Sequence, residues 1–414
     1  MRRIIAGALA AVAAIGLAAC GSSGSSSNGA GTSVAKNAPI KLGVLTSLTG
    51  PASSAYTTVQ EGVKARLALQ NAQGGIDGHK LTFVMGDDQS TTQGAQTGTL
   101  QLIQQDKVYG ILDASNVFVG AAKTTKQFNI PVAGVSFDAG PEWFSKSYTN
   151  LFDALGYKNF NLVATSVGSF FKSVGATKVA AVGFAGSISS GSSATEAVLS
   201  SVHAGLSKAY LNVNVPFGTT NVGPIVQAIK ASGANALYMP MVPSTAFAIV
   251  VGLRQAGVKM KAVVSANGYG GDLLNQKTAL AAANGVYFGT CLAPIEARTA
   301  ATKQFQAAMT TYAGVTTDPT FGEYMGWITA DLFIHGLKLA GPTASSAQFI
   351  SKLRASTWNG GGLEAPTNFA DVGQGTGGSE VGGNCFYVTQ LMGGKFINVP
   401  DEPFCGMIIP GLKA

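Results

Sequence analysis

Charge is what this chain has least of: Asp, Glu, Lys and Arg make up 11% of its 414 residues, and only three are histidine. Set against 46% hydrophobic residues, that balance excludes an intrinsically disordered chain. The 27 Lys and Arg are scattered, with no basic block and no aromatic-interleaved stripe, which argues against nucleic acid as a partner. Part of the formal charge of +7 comes from Arg2 and Arg3 at the amino terminus. His79, His203 and His335 stand apart from one another and from the four cysteines. No set has metal-ligand spacing, so neither a metal nor a cofactor is expected. Catalytic patterns are missing as well. There is no G-x-x-x-x-G-K-[ST]. Ser169–Lys172 matches S-x-x-K but lies inside a helical run, without the S-D-N and K-T-G companions. Gly134–Asp138 approaches a nucleophile elbow and lacks its closing glycine. The Asp87-Asp88 pair has no partner cluster and precedes a helix, a common structural place for aspartate. An enzyme is not expected.

What the chain does have is glycine, 54 residues of it, and enough length for two domains. Its amino end reads as an address. Arg2 and Arg3 precede an apolar run, Ile4–Leu17, that is shorter than the ~20 residues a spanning helix needs. Leu17-Ala18-Ala19-Cys20 resembles a bacterial lipobox, in which the cysteine takes a lipid and becomes the first mature residue. Residues 1–20 are thus expected to be a lipoprotein signal peptide with Cys20 as the lipid anchor. The small and polar residues 21–39 would form a flexible tether. The mature protein is expected to be exported and held at the outer face of the cytoplasmic membrane of a bacterium.

The organising stretch is Ile40–Pro51, IKLGVLTSLTGP, an apolar run followed by a loop of small hydroxyl and glycine residues. Such a run predicts a buried parallel strand, and its carboxyl-end loop is where open α/β sheets bind ligands. The same unit repeats. Helix 57–71, strand 81–85, a helix about Ala95–Ile103, strand 108–112, helix 117–128 and strand 131–135 form one βα run. A second run begins with helix 157–173 and strand 178–183. It continues through helix 192–208, strand 211–215, helix 222–231, strand 236–239, helix 245–256 and strand 261–265. Helix 272–283 and strand 285–291 close it. Three helices follow (299–312, 322–339 and 347–355), then a glycine-rich stretch at 371–384 and a hairpin turning at Gly393-Gly394. Cys385 and Cys405 flank that hairpin and are candidates for a disulfide in an oxidising compartment, whereas Cys291 lies alone in an apolar stretch.

Several segments together resemble the type I periplasmic binding proteins, in the leucine/isoleucine/valine-binding branch that feeds ABC importers. They are IKLGVLTSLTGPAS, EGVKARLALQNAQGGIDGHKL, FVMGDDQSTTQGA, NIPVAGVSFDAG and TFGEYMGWITADLFIHGLKLAG. The similarity runs from about Ile40 to Ala355, most specific in the first lobe, and the last sixty or so residues match poorly. It implies an α/β fold of two Rossmann-like lobes, each a parallel sheet flanked by helices, joined by a hinge of three crossings. Lobe 1 would hold residues 40–155 and 292–343, and lobe 2 residues 156–291 and 344–414. The crossings fall near Ala154–Gly156, Cys291–Pro294 and Gly341–Ala344, with ligand captured between the lobes by hinge closure.

The resemblance also points to residues. In lobe 1, Tyr56 follows Ser53 and Ser54 and stands where the family sets an aromatic over the ligand; the alternative is a packed surface aromatic. Ser115 and Asn116 fall where a hydroxyl and backbone N–H groups hold a carboxylate ahead of a helix, and a plain N-cap is compatible with that. Ser136, Phe137 and Asp138 form the second small-polar loop, in which Asp138 either receives a ligand ammonium or caps the turn toward Pro141. Lobe 2 departs from the amino-acid pattern. Ser187 and Ser189 occupy the place of a cleft tyrosine, Met241-Val242-Pro243 replaces another aromatic, and Asn267 and Tyr269 stand where an acidic residue meets the α-ammonium. An unpaired ammonium in a closed cleft is costly, so a zwitterion would need Asp138 or Glu323 instead. Phe321 and Tyr324 are either an apolar wall or core.

The expected function is an extracytoplasmic solute-binding lipoprotein of an ABC importer, monomeric, with a small molecule and membrane permease subunits as partners. Its ligand would be a carboxylate- or amide-bearing solute, branched-chain amino-acid-like molecules among the candidates. The alternatives are a sensory domain reporting to a membrane receptor or kinase and, remotely, a hydrolase.

Overall fold

The computed structural model describes residues 38–156, 161–274, 276–290, 292–372 and 385–414. The expected signal peptide, Cys20, nearly all of the tether, Cys291 and most of the glycine-rich stretch lie outside the described residues.

The first lobe grows from β1 (Ile40–Thr46), whose side chains are buried except Lys41, as the continuous apolar run requires. It is followed by α1 (Ser53–Tyr56), α2 (Val59–Ala72), β2 (Leu81–Asp87), α3 (Thr92–Leu100), β3 (Gly110–Ala114), α4 (Val119–Gln127), β4 (Val132–Gly134) and β5 (Leu151–Asp153). All five strands run parallel in the order β2-β1-β3-β4-β5. This doubly wound order reverses between β1 and β3, and the crevice outside the carboxyl ends there is the natural binding place.

The second lobe contains β6 (Leu162–Ala164), α5 (Ser166–Ser173), β7 (Lys178–Phe184), α6 (Ile188–His203), β8 (Ser207–Val215) and α7 (Gly223–Ser232). It goes on through β9 (Ala236–Met239), α8 (Pro243–Gln255), β10 (Ala262–Ser265), α9 (Gly271–Leu274), α10 (Lys277–Ala282) and β11 (Tyr287–Thr290). Strands β8-β7-β9-β10-β11 repeat the parallel order of the first lobe, with the reversal between β7 and β9. The expected helix 157–173 is corrected here, because Leu162–Ala164 is a strand and the helix begins only at Ser166. Its partner is a strand from the far end of the chain, which local periodicity does not reveal.

After β11 the chain returns to the first lobe with α11 (Ala300–Ala308), α12 (Phe321–Ala340) and α13 (Ser346–Arg354), then the short pair β12 (Thr357–Trp358) and β13 (Thr367–Asn368). Helix α12 starts at a capping box formed by Thr320 and Glu323 and is held against α2 by an Arg66–Asp331 ion pair of 2.6 Å. The two helices cross at glycines. A Cβ on Gly326 would lie 2.0 Å from the Val59 carbonyl oxygen, and one on Gly62 would lie 2.0 Å from that of Glu323. Gly326→Val is therefore expected to force α12 off α2, costing at least the ~1–3 kcal/mol typical of overpacking; a lower urea midpoint in equilibrium unfolding is the check.

The boundary expected at 343/344 is also corrected. Phe349 of α13 stacks on Phe333 at 4.6 Å and meets Tyr109 and Phe152 edge-on, while Phe369 meets Phe152 at 5.4 Å. These apolar contacts keep the chain on the first lobe at least as far as Phe369. It joins the second sheet through β14 (Cys385–Met392) and β15 (Lys395–Asn398), antiparallel additions beside β11. Finally β16 (Phe404–Cys405) pairs with β14, and β17 (Ile408–Lys413) with β6. Cys385 and Cys405 are joined by a disulfide.

Candidate functional site: the cleft between the lobes

The loop after β1 is shaped by the two aspartates that follow β2. Asp87 accepts bonds from the Leu48 and Thr49 amides and the Thr49 hydroxyl, at 2.7–3.2 Å. Burial opposes its ionisation, but these bonds together hold its carboxyl below the usual value. Asp88 accepts the Ser47 hydroxyl at 2.6 Å and the Ser90 amide at 2.7 Å. The pair fastens the loop, and α1 then delivers Tyr56 to the cleft.

Loops from both switch points enclose one cavity. From the first lobe come Tyr56, Asn116, Phe137 and Phe321, and from the second Phe184, Ser187, Ser189, Phe217, Val242 and Asn267. Tyr56 meets Phe321 edge-on at 5.8 Å, Phe137 tilts against Phe321 at 5.4 Å, and Phe184 stacks on Phe217 at 4.2 Å. About 130 Å³ of this space is open to the centre of a water molecule. At the ~10–15 Å³ that one water needs by that measure, there is room for on the order of ten non-hydrogen atoms. The lobes touch at the rim. The Ser189 hydroxyl donates to the Phe137 carbonyl, and the Ser54 and Ser244 hydroxyls lie 3.4 Å apart. Farther in, the Phe321 amide donates to Asp272 of the second lobe at 3.0 Å.

Polar groups gather at two places. Ser187 caps α6 by accepting the Ser190 amide, and Ser187, Ser189 and Ser193 line the cavity around that helix start. The amino end of a 16-residue helix favours a negative or carbonyl-bearing group. Opposite, the Asn116 side-chain oxygen is buried with no hydrogen-bond partner among the described residues. Asn267 donates to the Met241 carbonyl at 2.9 Å, which fixes the loop after β10. Among the described residues lining the cavity no lysine, arginine or histidine occurs, and the one carboxylate is Glu364.

Of the residues singled out from sequence, Tyr56, Asn116, Phe137, Ser187, Ser189, Asn267 and Phe321 line this cavity, and four do not. Ser115 is fully buried, its oxygen accepting the Val117 amide at 3.1 Å. Ser136 donates to Asp153 at 2.6 Å. Asp138 accepts the Trp143 indole N–H at 2.9 Å and the Gly140 amide, and burial pushes its carboxyl up to about 6. Tyr269 donates to Glu296 and accepts the Ile295 amide at 3.2 Å, behind the wall in a small adjoining space. Ser136 and Tyr269 are engaged by Asp153 and Glu296, neighbours from later in the chain that a sequence position cannot disclose. Ser115 and Asp138 instead bond within their own turns, Asp138 capping the turn toward Pro141. Glu323, offered as an ammonium partner, is likewise spent on the Thr320 amide at 2.7 Å.

Sequence reasoning missed Phe184, Phe217, Glu364, Cys385 and Phe386, all of which line the cavity. Phe184 ends a strand that was expected, so its position at the carboxyl end was a usable signal. Glu364, Cys385 and Phe386 lie beyond Ala355, where the resemblance is expected to end.

A family model described as "Periplasmic binding protein" matches residues 39–395 and so runs on beyond Ala355. Similar solved structures include a solute-binding protein of an ABC transporter from R. palustris in complex with benzoate. It has a TM-score of 0.68 and 16% identity, over 90% of this chain and 97% of that one. The branched-chain amino acid transporter substrate-binding protein LivJ from Streptococcus pneumoniae, in complex with isoleucine, has a TM-score of 0.68 and 20% identity over 91% and 100%. A leucine-binding protein, LivK, from Thermotoga maritima has 0.68 and 14% over 87% and 97%. No curated protein matches the sequence.

Proposed function

Because the chain belongs to the periplasmic binding protein family, we propose that it is the solute-binding component of an ABC importer, capturing a small carboxylate- or amide-bearing organic molecule between its lobes. The observation that carries this reading is the cavity itself, walled by aromatic rings of both lobes and polar at separate points. A carboxylate or amide head would lie at the start of α6, against Ser187 and Ser193. Its body would fit between Tyr56, Phe137 and Phe321 on one side and Phe184 and Phe217 on the other. An N–H or O–H of the solute would satisfy Asn116. Benzoate and isoleucine, carried by the similar solved proteins, both suit a volume of this order. Of the two, isoleucine brings an ammonium, which Glu364, the one carboxylate among the described residues lining the cavity, would have to receive.

Contacts from both lobes are what make capture drive closure, since a ligand shifts the open–closed balance only by its preference for one form. The captured solute would be handed to membrane permease subunits, with the chain held by lipid on Cys20 at the outer face of the cytoplasmic membrane. No helix among the described residues is long and apolar enough to cross a membrane. A sensory role uses the same cleft and differs in the partner, so copurification with a permease rather than a receptor separates the two.

A thermal-shift screen of branched-chain amino acids, short-chain amides, urea and aromatic acids tests the reading. A member present at a hundred times its Kd is expected to stabilise the chain by ~2.7 kcal/mol. Conversion of a stabilising compound to product during the assay would replace binding with hydrolysis.

A further inference from the structure

The carboxyl-terminal segment beyond residue 395 lies outside the part matched by the family model, yet it pairs with β14 and β6, strands by which the chain enters the second lobe. Cys385 opens β14, the first described residue after the chain leaves the first lobe for the last time, and it lines the cleft together with Phe386. In the antiparallel pairing of β14 with β16, Cys385 faces Cys405 and Phe386 faces Phe404, and the disulfide closes the first of these pairs. From there the chain runs directly to the exit of the first crossing. The Thr165 amide donates to the Met407 carbonyl at 3.0 Å, and the Met407 amide donates to the Thr165 hydroxyl oxygen at 3.1 Å. A Cβ on Gly406 would stand 2.5 Å from the Ser166 amide nitrogen, so the two backbones approach as closely as glycine permits. Strand β17 then pairs with β6, which among the described residues has no other sheet partner.

Behind the cleft wall the same segment acts as a brace. Phe170 of α5 contacts Phe386 at 5.7 Å and Phe404 at 5.4 Å, and the Phe386 ring would meet a Cβ on Gly289 at 2.6 Å. Phe386 is thus wedged between β11, α5 and the segment that carries Cys405.

We infer that residues 404–413, locked by the Cys385–Cys405 disulfide, form a staple that positions Phe386 in the cleft wall and ties β6 and β14, strands by which the chain enters the second lobe, into one body with that lobe. Chain ends that enter a lobe through a three-residue strand and a strand terminus would otherwise swivel independently. Covalent closure of the 20-residue separation removes that freedom. The second lobe and its staple then move as one piece, whatever solute the cleft takes. Cys385 and Cys405 are positioning residues, acting through Phe386 and β6.

The test reads lobe geometry and needs no ligand. Spin labels on Gln96→Cys of α3 and Gln227→Cys of α7, both exposed and one on each lobe, report the interlobe distance by pulsed EPR in a Cys291→Ser chain. The stapled chain is expected to give a narrow distribution. Cys385→Ser/Cys405→Ser is expected to widen it at least two-fold, with a new population at longer distance. Deletion of residues 407–414, which keeps the disulfide and removes β17, is expected to widen it as well. Unchanged distributions in both variants, with only a lower Tm, would overturn the inference and leave the segment a local clasp. Hydrogen exchange on the unaltered chain adds a reading independent of mutation. Amides of β6 and β17 are expected to open together, and β17 exchanging much faster than β6 would count against the staple.

Discussion

Phe321→Ala is expected to weaken solute capture by 30- to 100-fold while the lobes remain folded. The ring stands at the first residue of α12, touches Tyr56 and Phe137 and faces the cavity. Its amide is held by Asp272 of the opposite lobe, so it sits where both halves meet. Deleting a ring that a bound solute would cover forfeits about 2–3 kcal/mol of apolar and aromatic contact, and every 1.4 kcal/mol is a factor of ten in Kd. Titration calorimetry with the compound that gives the largest thermal shift is the measurement. Ser136→Ala is the matched control. It removes a 2.6 Å bond to buried Asp153, so it should cost ~1–3 kcal/mol of stability and leave Kd unchanged. If the two variants behaved alike, Phe321 would be core rather than wall.

Stability is expected to fall by several degrees of Tm between pH 5 and pH 8.5. Burial pushes the Asp272 carboxyl up to about 7, with nearby Glu323 adding to it and the Phe321 amide opposing. Burial likewise pushes Glu323 up to about 7 against its bonds to Thr320, and Asp138 up to about 6 against its bonds to Gly140 and Trp143. Asp113, fully enclosed beside Asp138, Asp88 and Asp153, is raised well above the carboxylate range. Each of these groups holds a proton more tightly in the folded chain than in the unfolded one. For Asp272, Glu323 and Asp138 that contribution is therefore complete below about pH 4 and disappears as the pH climbs through 6 to 7, and Asp113 acts in the same sense. A carboxyl moved from near 4 to about 7 is worth on the order of 4 kcal/mol. Asp87 works in the opposite sense and favours the folded chain only above its lowered value, so the maximum lies on the acid side of neutrality rather than at strongly acid pH. Asp272→Asn and Glu323→Gln should flatten the decline, because each replaces a titrating group with a neutral one of the same shape. A Tm that rises from pH 5 to pH 8.5 would mean these carboxyls are ionised and satisfied in the folded protein.

Much of the cleft was legible before any coordinates. Tyr56, Phe321, Ser187 and Ser189, to which the family resemblance points, stand on loops at the carboxyl ends of strands or at helix starts, and all four line the cavity. Ser115, Ser136 and Asp138 also follow strand ends, but their side chains are engaged by the Val117 amide, Asp153 and Trp143. Which way such a polar group turns depends on the partner beside it, local for Ser115 and Asp138 and farther along the chain for Ser136.

By itself the sequence determined the two-lobed α/β architecture, because burial of alternating strands and helices is written in local periodicity. It also determined which loops crowd the cleft, because the carboxyl ends of parallel strands share one edge. Only the tertiary structure decided that α13 stays with the first lobe, that β6 is a strand, and that Glu364, Cys385 and Phe386 reach the cavity. Those outcomes rest on contacts between segments far apart in the chain, such as β6 with β17 and Phe152 with Phe349 and Phe369, whose energy has no local signature.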